Sequence, residues 1–297
     1  MDKQALVIGL GSMGQRHLQY MGERAGVSRF GCDRRPETFP DGVPCVQDIT
    51  QALHCFSPSL VVIALPARYH LETLYQVRQA HPDASILVEK PLSDRPLSDE
   101  DKERCLNIGG IVCVGYNWRF HPFAKMLHGV RDAIGDITFH VGSDMRTWPG
   151  SDYSDPLREF SHELDLVAYL TSMPQVTDAT MTPHGRYVVD GFHSHGRWRV
   201  VIAPYHEPVE RWVNVEIRPP VGNGRVMTYP WDMQSHTLEA MYRAQSFRFQ
   251  RMSTVGIASA MDSSRLLCSV SDALMTTGLI DNAEVLLARK DKGCLIM

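Results

Sequence analysis

Ala5-Leu6-Val7-Ile8 is a short unbroken apolar run, and Gly9-Leu10-Gly11-Ser12-Met13-Gly14 follows it without a spacer. Apolar residues without alternation are what a strand covered on both faces requires. Each glycine that follows meets a separate need. The first permits a tight turn, the second lets backbone approach a pyrophosphate, and the third allows a helix to pack closely on the strand. Backbone amides at the helix start, around Ser12 and Met13, are then placed to hold phosphates. A helical segment from about Ser12 to Met21 and a second strand, Arg29 to Cys32, bring Asp33 about twenty residues past the glycines, where an acid binds ribose hydroxyls. Strand, glycine loop, helix, strand and acid in this order confine the first part of the chain to a dinucleotide-binding α/β fold. Asp33 favours NAD, whereas Arg34 and Arg35 could hold the 2'-phosphate of NADP, so NAD is the preferred cofactor and NADP stays open.

The same reading continues downstream. Leu60 to Ala64 is a third buried strand, followed by Leu65-Pro66 and a helix beginning near His70. Ser85 to Val88 is a fourth, and it runs straight into Glu89-Lys90-Pro91. Ligands of open α/β sheets bind at the carboxyl ends of the strands, so Lys90 is well placed for proton transfer and, with Glu89 and Pro66, for contact with the cofactor. On its own, a lysine beside a glutamate at a strand end reads as a solvated pair. His70 has two readings, one bordering the nicotinamide and one packed at a helix start. Ile111 to Gly115 is the last strand of this domain, and the chain crosses into a second domain near Tyr116-Asn117.

At 297 residues the chain is long enough for two domains. Net charge of -4 with dispersed Lys and Arg gives no electrostatic case for nucleic-acid binding. No apolar run approaches a membrane span and no signal-peptide pattern precedes the first strand, so a cytoplasmic location is expected. The seven cysteines are scattered without CxxC spacing, which reads as reduced thiols and no metal site. The final Cys294-Leu295-Ile296-Met297 matches a prenylation box, though a short apolar tail is the commoner meaning.

Gly9 to Gly14, Asp33, Ala64-Leu65-Pro66 with His70, Glu89-Lys90-Pro91 and Gly115 to Pro122 together resemble the glucose-fructose oxidoreductase/inositol dehydrogenase family, Gfo/Idh/MocA. The resemblance covers the first 122 residues, and extends more weakly to Ser161-His162-Glu163-Leu164-Asp165, which looks like that family's His-x-x-Asp helix. It implies an α/β chain with a Rossmann domain (1–117) and an α+β domain (118–297) whose open, mainly antiparallel sheet shapes the substrate site and makes subunit contacts, giving a homodimer or homotetramer. The sequence agrees independently: Ile137 to Val141 and Val213 to Arg218 alternate apolar and polar residues, and Trp198 to Ile202 is a further strand candidate. Ser263 to Met275 reads as a late helix, a candidate for packing back on the first domain.

Asp155-Pro156 reads as a helix start, with an acid cap and proline at the first position. From there Phe160, Leu164, Val167 and Ala168 form an apolar stripe, while Arg158, His162, Asp165 and Tyr169 line the opposite side, either as a site wall or as a solvated face. Relatives of the resembled family carry an aspartate where this chain has Arg158. A guanidinium one turn from His162 would tend to hold the imidazole neutral unless an acid cancels its charge.

The resemblance implies an NAD(P)-dependent dehydrogenase acting on a secondary alcohol or ketone of a sugar, cyclitol or sugar derivative, with nucleotide-linked and amino sugars of surface-polysaccharide metabolism among the candidates. Lys90, His162 and Asp165 are the candidate catalytic residues. Arg119, Trp148, Tyr153 and Arg158 are candidates for substrate binding. Two alternatives stay open: a catalytically silent NAD(P)-binding regulator, and an imine or biliverdin-type reductase on the same fold.

Overall fold

A computed structural model describes residues 3–22, 26–120, 122–144, 156–205, 212–218, 227–231 and 268–294. The chain forms two compact units, Met1–Phe120 with Gln250–Leu274, and His121–Phe249 with Met275–Met297.

The first unit alternates strands and helices: β1 (Lys3–Ile8), α1 (Ser12–Gly22), β2 (Val27–Cys32), β3 (Cys45–Val46), α2 (Ile49–Cys55), β4 (Leu60–Ile63), α3 (His70–Ala80), β5 (Ser85–Val88), α4 (Asp99–Leu106) and β6 (Val112–Val114). The strands form one sheet in the order β3-β2-β1-β4-β5-β6, and every pairing is parallel. Alternate residues of each inner strand enter different cores. Leu6, Ile8, Val61, Ile63, Ile86 and Val88 pack on one face, while Ala5, Val7, Leu60, Val62 and Leu87 pack on the other. Both faces are therefore apolar, which explains the unbroken runs in the sequence. Each fully buried aliphatic side chain contributes about 1.5–3 kcal/mol relative to its exposed state. The reversal of strand order at β1 and β4 sets the glycine loop and the ends of β4 and β5 along one edge of the sheet.

The second unit holds α5 (Pro122–Gly129), β7 (Ile137–Asp144), α6 (Pro156–Glu159), α7 (Ser161–Leu170), β8 (Gln175–Met181), β9 (Tyr187–His193), β10 (Gly196–Tyr205), β11 (Trp212–Ile217) and β12 (Met227–Trp231). Its sheet runs β12-β11-β7-β10-β9-β8. The β7 and β10 strands are parallel and the other pairings antiparallel. Phe139, Val141, Trp198, Val200, Ile202 and Val215 are buried on one face. Between them in sequence stand partly exposed Thr138 and His140 and exposed Arg197 and Arg199, the wet face that the alternation predicts. Arg199 grips its cross-strand neighbour Asp190 with two bonds, at 2.5 and 3.0 Å.

The late helix differs from the sequence reading. Helix α8 begins at Val270 and continues to Cys294, and residues 263–267 lie outside the described part. The start is fixed locally: Ser269 Oγ accepts the Asp272 N–H, and Asp272 Oδ2 accepts the Ser269 N–H, closing a capping box. No described helix is long and apolar enough to cross a membrane.

Candidate functional site

The glycine loop is held by contacts that no other residue could make. Gly9 has φ +92, and a Cβ there would lie 2.6 Å from the Ala64 carbonyl oxygen. At Gly14 a Cβ would lie 1.8 Å from the Gly9 oxygen, so helix α1 can close on the turn only without a side chain. Around Gly11 a Cβ would meet no atom within 4 Å, which leaves the backbone open to close approach by a diphosphate. The first intrahelical bond here runs from Gln15 N–H to the Gly11 oxygen at 3.0 Å. The amides of Ser12, Met13 and Gly14 precede it, at the positive end of the helix. Asp33 closes the loop from the end of β2: its Oδ2 accepts the Leu10 N–H at 2.7 Å. Its Oδ1 accepts from Arg35 N and Nε at 3.0 and 3.4 Å. Exposed Arg34 and Arg68 both approach the ring of Tyr69, at 5.9 and 5.1 Å from its centre. Hydrogen bonding and charge from Arg68, then Arg34, hold the Tyr69 hydroxyl below its ordinary pKa. These groups fit an adenosine-bearing dinucleotide: amides for the diphosphate, an acid at the ribose position and a cationic, aromatic rim.

At the neighbouring strand ends, Lys90 follows β5 and is partly exposed, and its own N–H donates to Glu89 Oε2 at 3.2 Å. Exposed Pro66 begins a single 3-10 turn, Ala67–Tyr69. His70 is buried, with Nδ1 2.7 Å from the Pro91 oxygen and Nε2 2.7 Å from the Leu65 oxygen. It therefore bridges the segments that follow β4 and β5, the packing role of the two readings. Burial pushes its pKa down and outweighs the two carbonyls, which favour a charged ring. A neutral imidazole has one N–H and can satisfy only one of them at a time. Arg119 is buried and its Nη1 lies 3.2 Å from Asp272 in the first turn of α8, so this candidate substrate ligand forms an internal ion pair.

In the second unit the expected continuous helix is broken. Helix α6 ends at Glu159, Phe160 stands between the two segments, and α7 begins at Ser161. The expected polar row is not a solvated face either, because Arg158, His162, Asp165 and Tyr169 are all buried. Covering elements supply the reason. Arg158 Nη2 lies 2.8 Å from Asp281 Oδ1 and 2.6 Å from Glu284 Oε2 on α8. The Asp165 carboxylate accepts from Thr276 Oγ1 at 3.1 Å, and the Tyr169 ring stacks on His128 of α5 at 4.1 Å. Burial alone would lower the Arg158 pKa, but bonding to Asp281 and Glu284 turns the net shift upward. Two acids thus answer the Arg158 guanidinium. Trp148, Tyr153 and Asp155 lie outside the described residues.

Residues 3–104 match the model of the Gfo/Idh/MocA oxidoreductase family, described as an NAD-binding Rossmann fold. The nucleotide domain belongs to this family. No curated protein matches the chain in sequence. Among solved structures, the myo-inositol dehydrogenase from Corynebacterium glutamicum superposes with a TM-score of 0.74 at 12% identity, covering 98% of each chain. The WlbA dehydrogenase from Chromobacterium violaceum, solved with NADH and UDP-GlcNAcA, gives 0.76 at 13% identity over 97% of this chain and 94% of its own. GenD2 from gentamicin A biosynthesis, solved with NAD, gives 0.74 at 17% identity over 96% and 94%. At these identities the likeness is one of fold.

Two residues near the glycine loop and the strand ends escaped the sequence reading. Tyr69 was hidden in a short turn between two exposed arginines. His17 carried a signal: with Gly14, Leu18 and Met21 it occupies one buried side of α1, and a polar residue on an apolar face calls for a partner. That partner is Glu89, whose Oε1 accepts from His17 Nε2 at 2.7 Å. Among the described residues no cluster of three or more His, Cys, Asp or Glu is arranged to hold a metal.

Proposed function

We propose that the protein is an NAD-dependent dehydrogenase, with NADP as the less favoured cofactor, that interconverts a secondary alcohol and a ketone on a sugar, cyclitol or sugar derivative. The observation that carries this reading is Lys90 at the carboxyl end of β5, in a unit whose glycine loop and Asp33 fit a dinucleotide. When bound, the cofactor exchanges a hydride with the substrate carbon. Lys90 hydrogen-bonds the reacting oxygen, taking its proton in oxidation and returning it in reduction. His162 is the second proton-handling group, and Asp165, fixed by Thr276, orients it. Trp148 and Tyr153 are retained as candidates for sugar binding. The solved relatives bound to UDP-GlcNAcA support a nucleotide-linked sugar as one substrate class, and inositol dehydrogenases of like fold support a cyclitol. Arg119 and Arg158 are engaged by internal acids, so any part they take in substrate binding is secondary to those ion pairs.

Purified protein is to be given NAD and, separately, NADP with a panel of cyclitols, free sugars and UDP-sugars, following absorbance at 340 nm. Turnover is expected with NAD preferred, and Lys90→Met is expected to lower kcat by roughly 10²–10⁴-fold while leaving NADH binding intact. Full activity in Lys90→Met would overturn the assignment of the lysine. NADH binding without turnover on any panel member would favour the silent regulator instead.

A further inference from the structure

The carboxylate beside the proposed proton-transfer lysine is a largely buried anion with a purpose-built surround. Glu89 is 12% exposed in its side chain, and each oxygen has a different duty. Oε1 accepts from His17 on α1 at 2.7 Å, and Oε2 accepts the backbone N–H of Lys90 at 3.2 Å. Just after β6 the chain gives way to it: a Cβ at Gly115 would lie 2.9 Å from Oε2. The other titratable groups facing this carboxylate are Lys90 itself, His70 on α3, and Cys113 on β6. The Cys113 thiol is pushed up to about 12, first by burial and then by the Glu89 charge. Burial would push Glu89 up as well, but the His17 hydrogen bond and charge, with the Lys90 N–H and ammonium, turn its net shift downward. His17 Nδ1 is buried with no hydrogen-bond partner among the described residues, so the ring serves Glu89 through its Nε2–H.

A tie between α1 and β5 needs one hydrogen bond. Here the second oxygen of the same carboxylate carries the N–H of the lysine, so the tie ends at Lys90. We propose that His17 is a positioning residue that, through Glu89, fixes Lys90 in register with the helix that carries the glycine loop, an inference that rests on the reading of Lys90 as the proton-transfer group. The dinucleotide cradle and the lysine then share one rigid frame. Without His17, Glu89 keeps its burial, loses its first donor, and turns on the Lys90 ammonium.

The test uses full-length His17→Leu and His17→Gln, with Lys90→Met as reference. Glutamine places an amide N–H near the position of Nε2, and leucine removes the donor. Lys90 reactivity is read at fixed pH with pyridoxal 5'-phosphate followed by borohydride reduction, scoring the Lys90 peptide by mass spectrometry. NADH affinity by fluorescence and the thermal midpoint are measured alongside. Labelling of Lys90 is expected to fall about tenfold in His17→Leu and to return to within about threefold of wild type in His17→Gln, as for loss and recovery of a supporting contact. Wild-type labelling in His17→Leu overturns the proposal. So does an equal fall in both variants that follows the thermal midpoint, since that is the behaviour of a structural tie alone. If His17→Leu does not fold, His17→Asn, too short to reach Glu89, supplies the same comparison. Activity persisting in Lys90→Met would refute the catalytic reading of the lysine, and the labelling result separately judges the His17 contact.

Discussion

Replacing Arg158 by methionine should destabilise the second unit severely. The guanidinium is 2% exposed and faces Asp281 and Glu284, whose side chains are 16% and 18% exposed. Methionine keeps most of the volume, so lost packing is a small part of the effect. What remains is two carboxylates one turn apart on α8, both largely removed from water and without their cation. Removing one partner of a buried ion pair costs about 3–5 kcal/mol, because the group left behind is buried and uncompensated. For a chain of this size that corresponds to a fall in melting temperature of roughly 6–20 °C, at about 2–4 °C per kcal/mol. Differential scanning calorimetry at pH 7.5 reads it directly. The informative control is the triple variant Arg158→Met, Asp281→Leu, Glu284→Met, in which the whole cluster becomes apolar. Such exchanges are commonly neutral or stabilising, so the triple variant is expected to regain most of the loss. A single variant within about 1 kcal/mol of wild type would refute the reasoning, as would a triple variant no more stable than the single.

Gly14→Ala should abolish tight NADH binding, measured by fluorescence titration, because its Cβ would stand 1.8 Å from the Gly9 oxygen and neither backbone can yield without opening the loop; unchanged affinity would show that the loop does not hold the cofactor. His70 predicts an acid-labile fold. Its neutral form is favoured in the folded state, so its stabilising contribution is complete above about pH 6.5 and is lost as pH falls below that value, where the unfolded chain takes up the proton. Urea unfolding midpoints should therefore drop between about pH 7 and 5 in the wild type and drop less in His70→Gln.

How far the fold was legible depended on how locally each feature is determined. The first unit was readable strand by strand, since a sheet covered on both faces leaves runs such as Leu60 to Ile63 with no polar residue to interrupt them. The glycine loop was readable because its three glycines lie within six residues, although the carbonyl that crowds Gly9 belongs to Ala64. Helix α7 was not. Periodicity divides a helix into a wet side and a dry side, but α7 is covered almost all round. The groups that make its polar residues tolerable come from α8: Thr276 for Asp165, and Asp281 and Glu284 for the neighbouring Arg158. Nothing in the local pattern announces a partner more than a hundred residues away. His17 and Glu89 illustrate the same limit inside the readable half. Each could be seen as polar in an apolar setting, and only the strand order joins them.

These long-range pairs also account for the departure at Arg158. In isolation an arginine in place of an acid one turn before His162 suggests a site that has lost its chemistry. With Asp281 and Glu284 opposite, the arginine is the cation of a three-residue cluster whose charge is answered within the cluster. An acid at position 158 would bring three carboxylates together in a buried space, where at least one would have to take up a proton or force the helices apart. Position 158 and the acidic turn of α8 therefore constrain each other, and the residue at 158 says more about what covers α7 than about whether the enzyme turns over.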